Sequence, residues 1–125
     1  MFTHIMVGSN NFDKSKAFYD AALGALGVPA GQAHNGRAFY SHGGGNFGVG
    51  APADGNVATH ANGGTIGFKA SNQDAVDAFH AAGKANGGKC DGEPGIRAAG
   101  GRPMYGAYLR DPDGNKICAF APSAE

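Results

Sequence analysis

Gly106-Ala107-Tyr108-Leu109-Arg110-Asp111-Pro112-Asp113-Gly114-Asn115-Lys116-Ile117-Cys118-Ala119-Phe120 decides how this chain is read. Two short apolar segments flank Asp-Pro-Asp-Gly-Asn. Pro112 presets φ, the Asp and Asn side chains can bond their own backbone, and Gly114 accepts φ > 0, so the stretch predicts a β-hairpin.

Working outward, a second hairpin is predicted over Arg37 to Ala51, around the turn Gly43-Gly44-Gly45. Residues 2 to 7 predict a strand with Phe2, His4 and Met6 on one face and Thr3, Ile5 and Val7 on the other. A helix follows, capped by Asn10 or Asn11, with Asp13 in its first turn and Phe18, Ala21, Ala22, Ala25 and Leu26 as its apolar stripe. Gly27 and Pro29 end it.

This opening then recurs. Sliding the chain by 61 positions lays Thr65-Ile66-Gly67-Phe68 on the first strand and residues 72 to 82 on the first helix. Asn11 meets Asn72, Asp13 meets Asp74, and Phe18 meets Phe79. A cap, a first-turn acid and a core aromatic repeating together mark an internal duplication. Each half reads as strand, helix and hairpin, with one further strand to come from residues 30 to 37 and 89 to 97. Residues 52 to 63 predict a turn-rich linker, and residues 87 to 103 a Gly-rich loop carrying Cys90, Arg97 and Arg102. The expected organisation is a single domain over 1–125, with module one over about 1–52, a linker over about 53–62 and module two over about 63–122.

Composition narrows the function classes. The 10 basic and 10 acidic residues balance, with no run of like charge, which argues against nucleic acid or an anionic membrane as partner. The first twenty residues contain no apolar stretch long enough for a signal peptide or a membrane span, so the expected location is cytoplasmic. Cys90 and Cys118 lie in different segments and read as reduced thiols. Two apparent motifs fail. Gly43 to Gly48 fits a Gly-x-Gly-x-x-Gly string but opens no helix, and His42-Gly43-Gly44-Gly45 has no Gly-x-Ser-x-Gly elsewhere to serve.

The opening Thr3-His4-Ile5 strand, the helix segment Ser-Lys-Ala-Phe-Tyr-Asp at 15 to 20, the repeat, and the ending Tyr-Leu-Arg-Asp-Pro-Asp-Gly-Asn-Lys-Ile at 108 to 117 together resemble the vicinal-oxygen-chelate superfamily. That superfamily holds glyoxalase I, the bleomycin-resistance proteins and the extradiol dioxygenases. The resemblance implies an α+β fold of two βαβββ modules forming a U-shaped, curled mixed sheet around a cleft, usually in a homodimer. It also implies a divalent metal (Zn, Ni, Mn or Fe) held by ligands from the first and last strands of each module.

Carried onto this chain, those positions hold His4, Thr65 where a second His is typical, and Cys118 where Glu is typical. Matching Pro52 to Pro122, an offset of 70, makes Gly48 the fourth. Only His4 is an ordinary ligand among them, with Cys118 able to join it as thiolate if a metal binds. Neither His42 nor His60 is placed to substitute. The expectation is therefore no cofactor, and a cleft that takes a small organic molecule as a binding protein or a metal-independent enzyme. Its candidate residues are His4 (ligand-binding or general base), Thr65, Arg97, Arg102, Tyr105 and Cys118, with Lys69 and Tyr108 as further candidates. The alternative is a divalent-metal-dependent lyase, of the lactoylglutathione-lyase type, or a dioxygenase. A third reading is a structural dimer without a ligand.

Overall fold

The computed structural model describes residues 1–99 and 101–123. Its elements run β1 (Ile5–Gly8), α1 (Phe12–Gly24), β2 (Gln32–His34), β3 (Arg37–His42), β4 (Gly45–Gly50), β5 (Ile66–Lys69), α2 (Gln73–Ala85), β6 (Lys89–Ala99), β7 (Arg102–Arg110) and β8 (Lys116–Pro122). They form two βαβββ modules, and each contributes a four-stranded mixed sheet of the same order, β1-β4-β3-β2 and β5-β8-β7-β6. In each sheet the first strand lies parallel to the last, and the remaining pairs are antiparallel.

The duplication read from the sequence is a structural one. Asn11 Oδ1 accepts from the Lys14 amide at 3.1 Å and Asn72 Oδ1 from the Ala75 amide at 2.8 Å, so both helices start on the repeated cap. Met6 faces Gly48 across the β1–β4 ladder, and Gly67 faces Cys118 across β5–β8. Those pairs are related by the offsets of 61 and 70, which makes Gly48 and Cys118 equivalent places in the two modules.

Residues 87 to 103 are not a loop. They contain β6, the further strand expected from residues 89 to 97, which pairs with β7 along most of its length, and Gly100 alone of that stretch lies outside the described residues. The glycines misled because they mark irregularities inside a strand rather than its absence. The ladder shifts register between Cys90 and Gly92 and again between Gly92 and Gly95. A Cβ on Gly92 would stand 3.0 Å from Arg97 Nη2 and 3.1 Å from the Tyr108 ring, so the strand needs glycine where these side chains approach.

One core spans both modules, since Phe18, Tyr19, Tyr40, Phe47 and Val49 of the first cluster with Val76, Phe79, Leu109 and Ile117 of the second. Phe47 and Phe68 meet edge to face across the module boundary, ring centroids 5.3 Å apart. The buried stripe of α1 is Ser15, Phe18, Tyr19, Ala22 and Leu23, rotated from the predicted one, with Ala25 and Leu26 packed at its margin. Two polar residues can face inward because each finds a partner. Ser15 Oγ lies 2.5 Å from Ser9 Oγ and donates to Asp113 at 3.0 Å, while the Tyr19 hydroxyl donates to Asp111 at 2.6 Å.

The hairpin turn at 111 to 115 therefore has a second task. Asp111 holds its own turn by accepting from the amides of Asp113 and Asn115, both at 2.9 Å, and it also takes the Tyr19 hydroxyl. Asp113 accepts from the Asn10 amide at 2.8 Å, and Asn115 Nδ2 donates to the Gly8 carbonyl at 3.1 Å. The turn of module two thus clamps the β1–α1 corner of module one. Burial, with the Asp111 charge and hydrogen bond beside it, pushes the Tyr19 phenol well above its ordinary pKa.

Candidate functional site

Alternation along the strands assigns side chains to two faces. Ile5, Val7, Phe47 and Val49 turn toward the helices and core, leaving His4, Met6 and Gly48 on the outer face of the first sheet. In the second sheet Ile66, Phe68, Ile117 and Ala119 turn inward, leaving Thr65, Gly67 and Cys118 outside. All four positions marked by the superfamily resemblance are thus on outer faces.

The first outer face carries a groove of about 620 Å³ whose lining includes His4, Met6, Arg37, Phe39, Pro52 and Val57. His4 is exposed, and its Nδ1 lies 2.9 Å from Thr3 Oγ1, so Nε2 is the nitrogen left for a ligand. The groove floor is apolar at the metal-ligand position. A Cβ built on Gly48 would collide with Met6 Sδ and lie 3.0 Å from the Phe39 ring.

On the second outer face Cys118 lies opposite Tyr108 in the ladder and beside Gly67, whose added Cβ would stand 3.4 Å from the sulfur. The Tyr108 ring is flanked by Arg97 (Cζ at 5.3 Å from the centroid) and Lys116 (Nζ at 5.0 Å), with Phe120 edge-on at 5.7 Å. Burial pushes the Cys118 thiol up to about 11, against the lowering influence of Lys116 and Arg97. It stands neutral near neutral pH.

The predicted residues are only partly brought together. Cys118, Arg97 and Tyr108 share the second outer face, but the Arg97 guanidinium donates to the carbonyls of Glu93 (2.7 Å), Gly95 (3.3 Å) and Gly106, and so braces the bulged strand. Tyr105 turns to the opposite face, where its hydroxyl donates to Asp77 on α2 at 2.6 Å. Arg102 is exposed at the start of β7, and Thr65 is exposed ahead of β5. His4 belongs to a groove lined by module one and the linker, and none of Thr65, Arg97 or Cys118 lines it.

A second cavity of about 460 Å³ lies where the modules meet, with Ile5, Leu23, Phe47, Ile66 and Phe68 among its walls and His42 and Lys69 among its polar groups. It lies against β1 and β5, the edge strands of the two sheets. No motif announced it, because its walls come from the core-facing positions of both modules. The alternation of β1 and of the first hairpin carried the signal for Met6 and Phe39 in the groove.

As a metal site, the four marked positions supply one imidazole, one Thr hydroxyl, one glycine and one buried thiol. A divalent cation needs charged or imidazole donors converging on a point, and this set does not fit one.

No described helix is long and apolar enough to cross a membrane. The sequence model of the glyoxalase/bleomycin resistance protein/dioxygenase superfamily matches residues 1–119. A crystal structure of a glyoxalase/bleomycin resistance protein from Albidiferax ferrireducens is 52% identical, covering 98% of this chain and 99% of that one, with a TM-score of 0.91. A glyoxalase-related enzyme from Fulvimarina pelagi (16% identical, 97% and 87% covered, TM-score 0.78) and a lactoylglutathione lyase from Agrobacterium tumefaciens (17%, 97% and 92%, 0.67) share the fold. No curated protein matches the chain. With its duplicated βαβββ modules, its closing hairpin and a match along nearly its whole length, the chain belongs to the glyoxalase/bleomycin resistance protein/dioxygenase superfamily.

Proposed function

We propose that this protein binds a small, largely apolar organic molecule in the groove beside His4, and does so without a metal at the superfamily's ligand positions. One observation carries this reading: Met6 and Phe39 occupy the space that a side chain at position 48 would need. The neutral thiol of Cys118 at the equivalent place in module two supports it. The donor set thus favours binding or metal-independent chemistry over the metal-dependent lyase and dioxygenase activities known in the superfamily. His4 supplies a polar contact through Nε2, the ring nitrogen not engaged by Thr3.

The working unit is a homodimer. The groove is walled by one sheet and the linker, while Tyr108 and Cys118 stand on the other sheet of the same chain. A second copy supplies the missing wall and covers the exposed apolar side chains Phe2, Met6 and Val57. Two unpaired cysteines suit a reducing, cytoplasmic setting.

The test is a screen of small aromatic and aliphatic compounds by NMR chemical-shift perturbation in the presence of EDTA. Binding that perturbs His4, Met6 and Phe39, persists under chelation and weakens in Phe39→Ala is expected. Binding that appears only when a divalent cation is added would overturn the proposal.

A further inference from the structure

We infer that His80, Cys90 and Glu93 form a binding site for a divalent transition-metal cation of the zinc type, separate from the groove. His80 comes from α2, and Cys90 and Glu93 from β6. His80 Nε2 lies 3.1 Å from Cys90 Sγ, Cys90 Sγ lies 3.1 Å from Glu93 Oε2, and one ligand atom from each of the three falls within 4.8 Å of the others. Around a tetrahedral zinc ion with bonds of about 2.0–2.3 Å, neighbouring donors stand about 3.3–3.8 Å apart. The two contacts to the Cys90 sulfur therefore need to lengthen by only a few tenths of an ångström, and the His80 and Glu93 donors, within 4.8 Å of each other, already stand near the remaining edge of such a tetrahedron.

The strand is built to make this convergence. In a regular strand Cys90 and Glu93, three residues apart, would point to opposite faces. The ladder pairs Cys90 with Leu109, then Gly92 with Tyr108, then Gly95 with Gly106, so β6 carries an extra residue in each interval. These bulges swing Glu93 to the side of Cys90 and toward α2. His80 is held in place from the other side, 5% exposed, whereas Cys90 and Glu93 are open to solvent.

Imidazole, thiolate and carboxylate are the three donor types zinc takes, and three protein ligands leave a fourth position for water or a bound molecule. Binding displaces the Cys90 thiol proton to solvent. Asp77, one turn before His80 on α2, adds negative charge nearby, and Lys84, one turn after it, opposes it. The site lies on the helix side of the second sheet, as Leu109 does, and shares no residue with the four superfamily positions. A Cys–His pair alone would read as a nucleophile, but the Glu93 carboxylate against the sulfur makes a third donor and favours a cation among the three.

Titration of the chelator-stripped protein with Co²⁺, followed by absorbance, tests this. One saturable equivalent per chain is expected, with the near-ultraviolet band of a cobalt–thiolate bond and displacement by Zn²⁺. Cys90→Ser should abolish the band, and Glu93→Gln should weaken binding roughly tenfold or more by removing an anionic ligand. Cys118→Ser should leave both unchanged. Cys90 and Glu93 are exposed, so their variants keep the test independent of any effect that replacing buried His80 has on folding. Absence of saturable binding to the folded wild type, a band that survives Cys90→Ser, or a band lost in Cys118→Ser would overturn the inference.

Discussion

Met6 Sδ occupies the space in which a side chain at position 48 would begin, and Met6 and Gly48 are register partners across the parallel β1–β4 ladder. This pairing replaces a ligand position with an apolar floor. Met6 is 39% exposed and its thioether is the end of a flexible side chain, so Gly48→Glu should displace it and destabilise the protein by less than the roughly 1–3 kcal/mol of overpacking a closed core. Urea denaturation reads the effect, and Met6→Ala in the same chain should return part of it.

The contact between Tyr19 and Asp111 predicts how firmly the modules are joined. Both are buried, and the hydroxyl donates at 2.6 Å. Tyr19→Phe keeps the ring and removes the donor, leaving Asp111 with the turn amides and the Asn115 side chain. A loss of about 1–3 kcal/mol is expected in urea denaturation, because a buried carboxylate loses a partner. A change near zero would show that water or the turn compensates.

The two thiols should differ sharply toward iodoacetamide. Cys90 is exposed and Cys118 is 4% exposed, its thiol pushed up to about 11 by burial. In EDTA at mildly alkaline pH, mass spectrometry should find Cys90 alkylated and Cys118 spared, with Cys118 reacting faster only as pH approaches 11. Equal rates would place Cys118 in a more open setting.

Asp20 predicts one part of the acid sensitivity. Burial pushes its pKa up, but bonds from Lys16 (2.7 Å), the Gly31 amide (3.0 Å) and the Tyr40 hydroxyl (2.8 Å) outweigh that and hold it below 3.8. As pH falls through 3.8, the unfolded chain takes up its proton first. The stabilisation is thus present above 3.8 and is lost as pH drops through the lower folded value. Asp20→Asn should be less stable than wild type at neutral pH, with the gap closing in acid.

The sequence showed the architecture because the features that build it are local. Asn11 and Asn72 cap helices wherever they precede an amphipathic run, and Asp111 to Asn115 closes its turn through its own backbone and the Asp111 side chain. What depended on partners across the chain was hidden. Tyr19 and Ser15 fall outside the apolar stripe read from the helix, and their burial rests on Asp111 and Asp113, more than ninety residues on. The sequence predicts a strand from residues 89 to 97, but its bounds blur into a Gly-rich loop because Gly92 and Gly95 mark bulges, and those same bulges bring Cys90 beside Glu93. His4, Gly48, Thr65 and Cys118 were legible as equivalent places through the repeat, whereas Met6 filling the space at Gly48 needed coordinates. Tyr105 read as a cleft residue, yet its strand turns it to Asp77.

The central claim is that the groove beside His4 works without a metal. Elemental analysis of tag-free protein, after incubation with Zn²⁺, Ni²⁺, Mn²⁺ and Fe²⁺ and removal of the excess, tests it most directly when wild type, His4→Ala and Cys90→Ser are compared. The account predicts that His4→Ala retains the same metal content as wild type, while Cys90→Ser loses whatever ion is held. A stoichiometric ion that leaves with His4→Ala and stays in Cys90→Ser would contradict it.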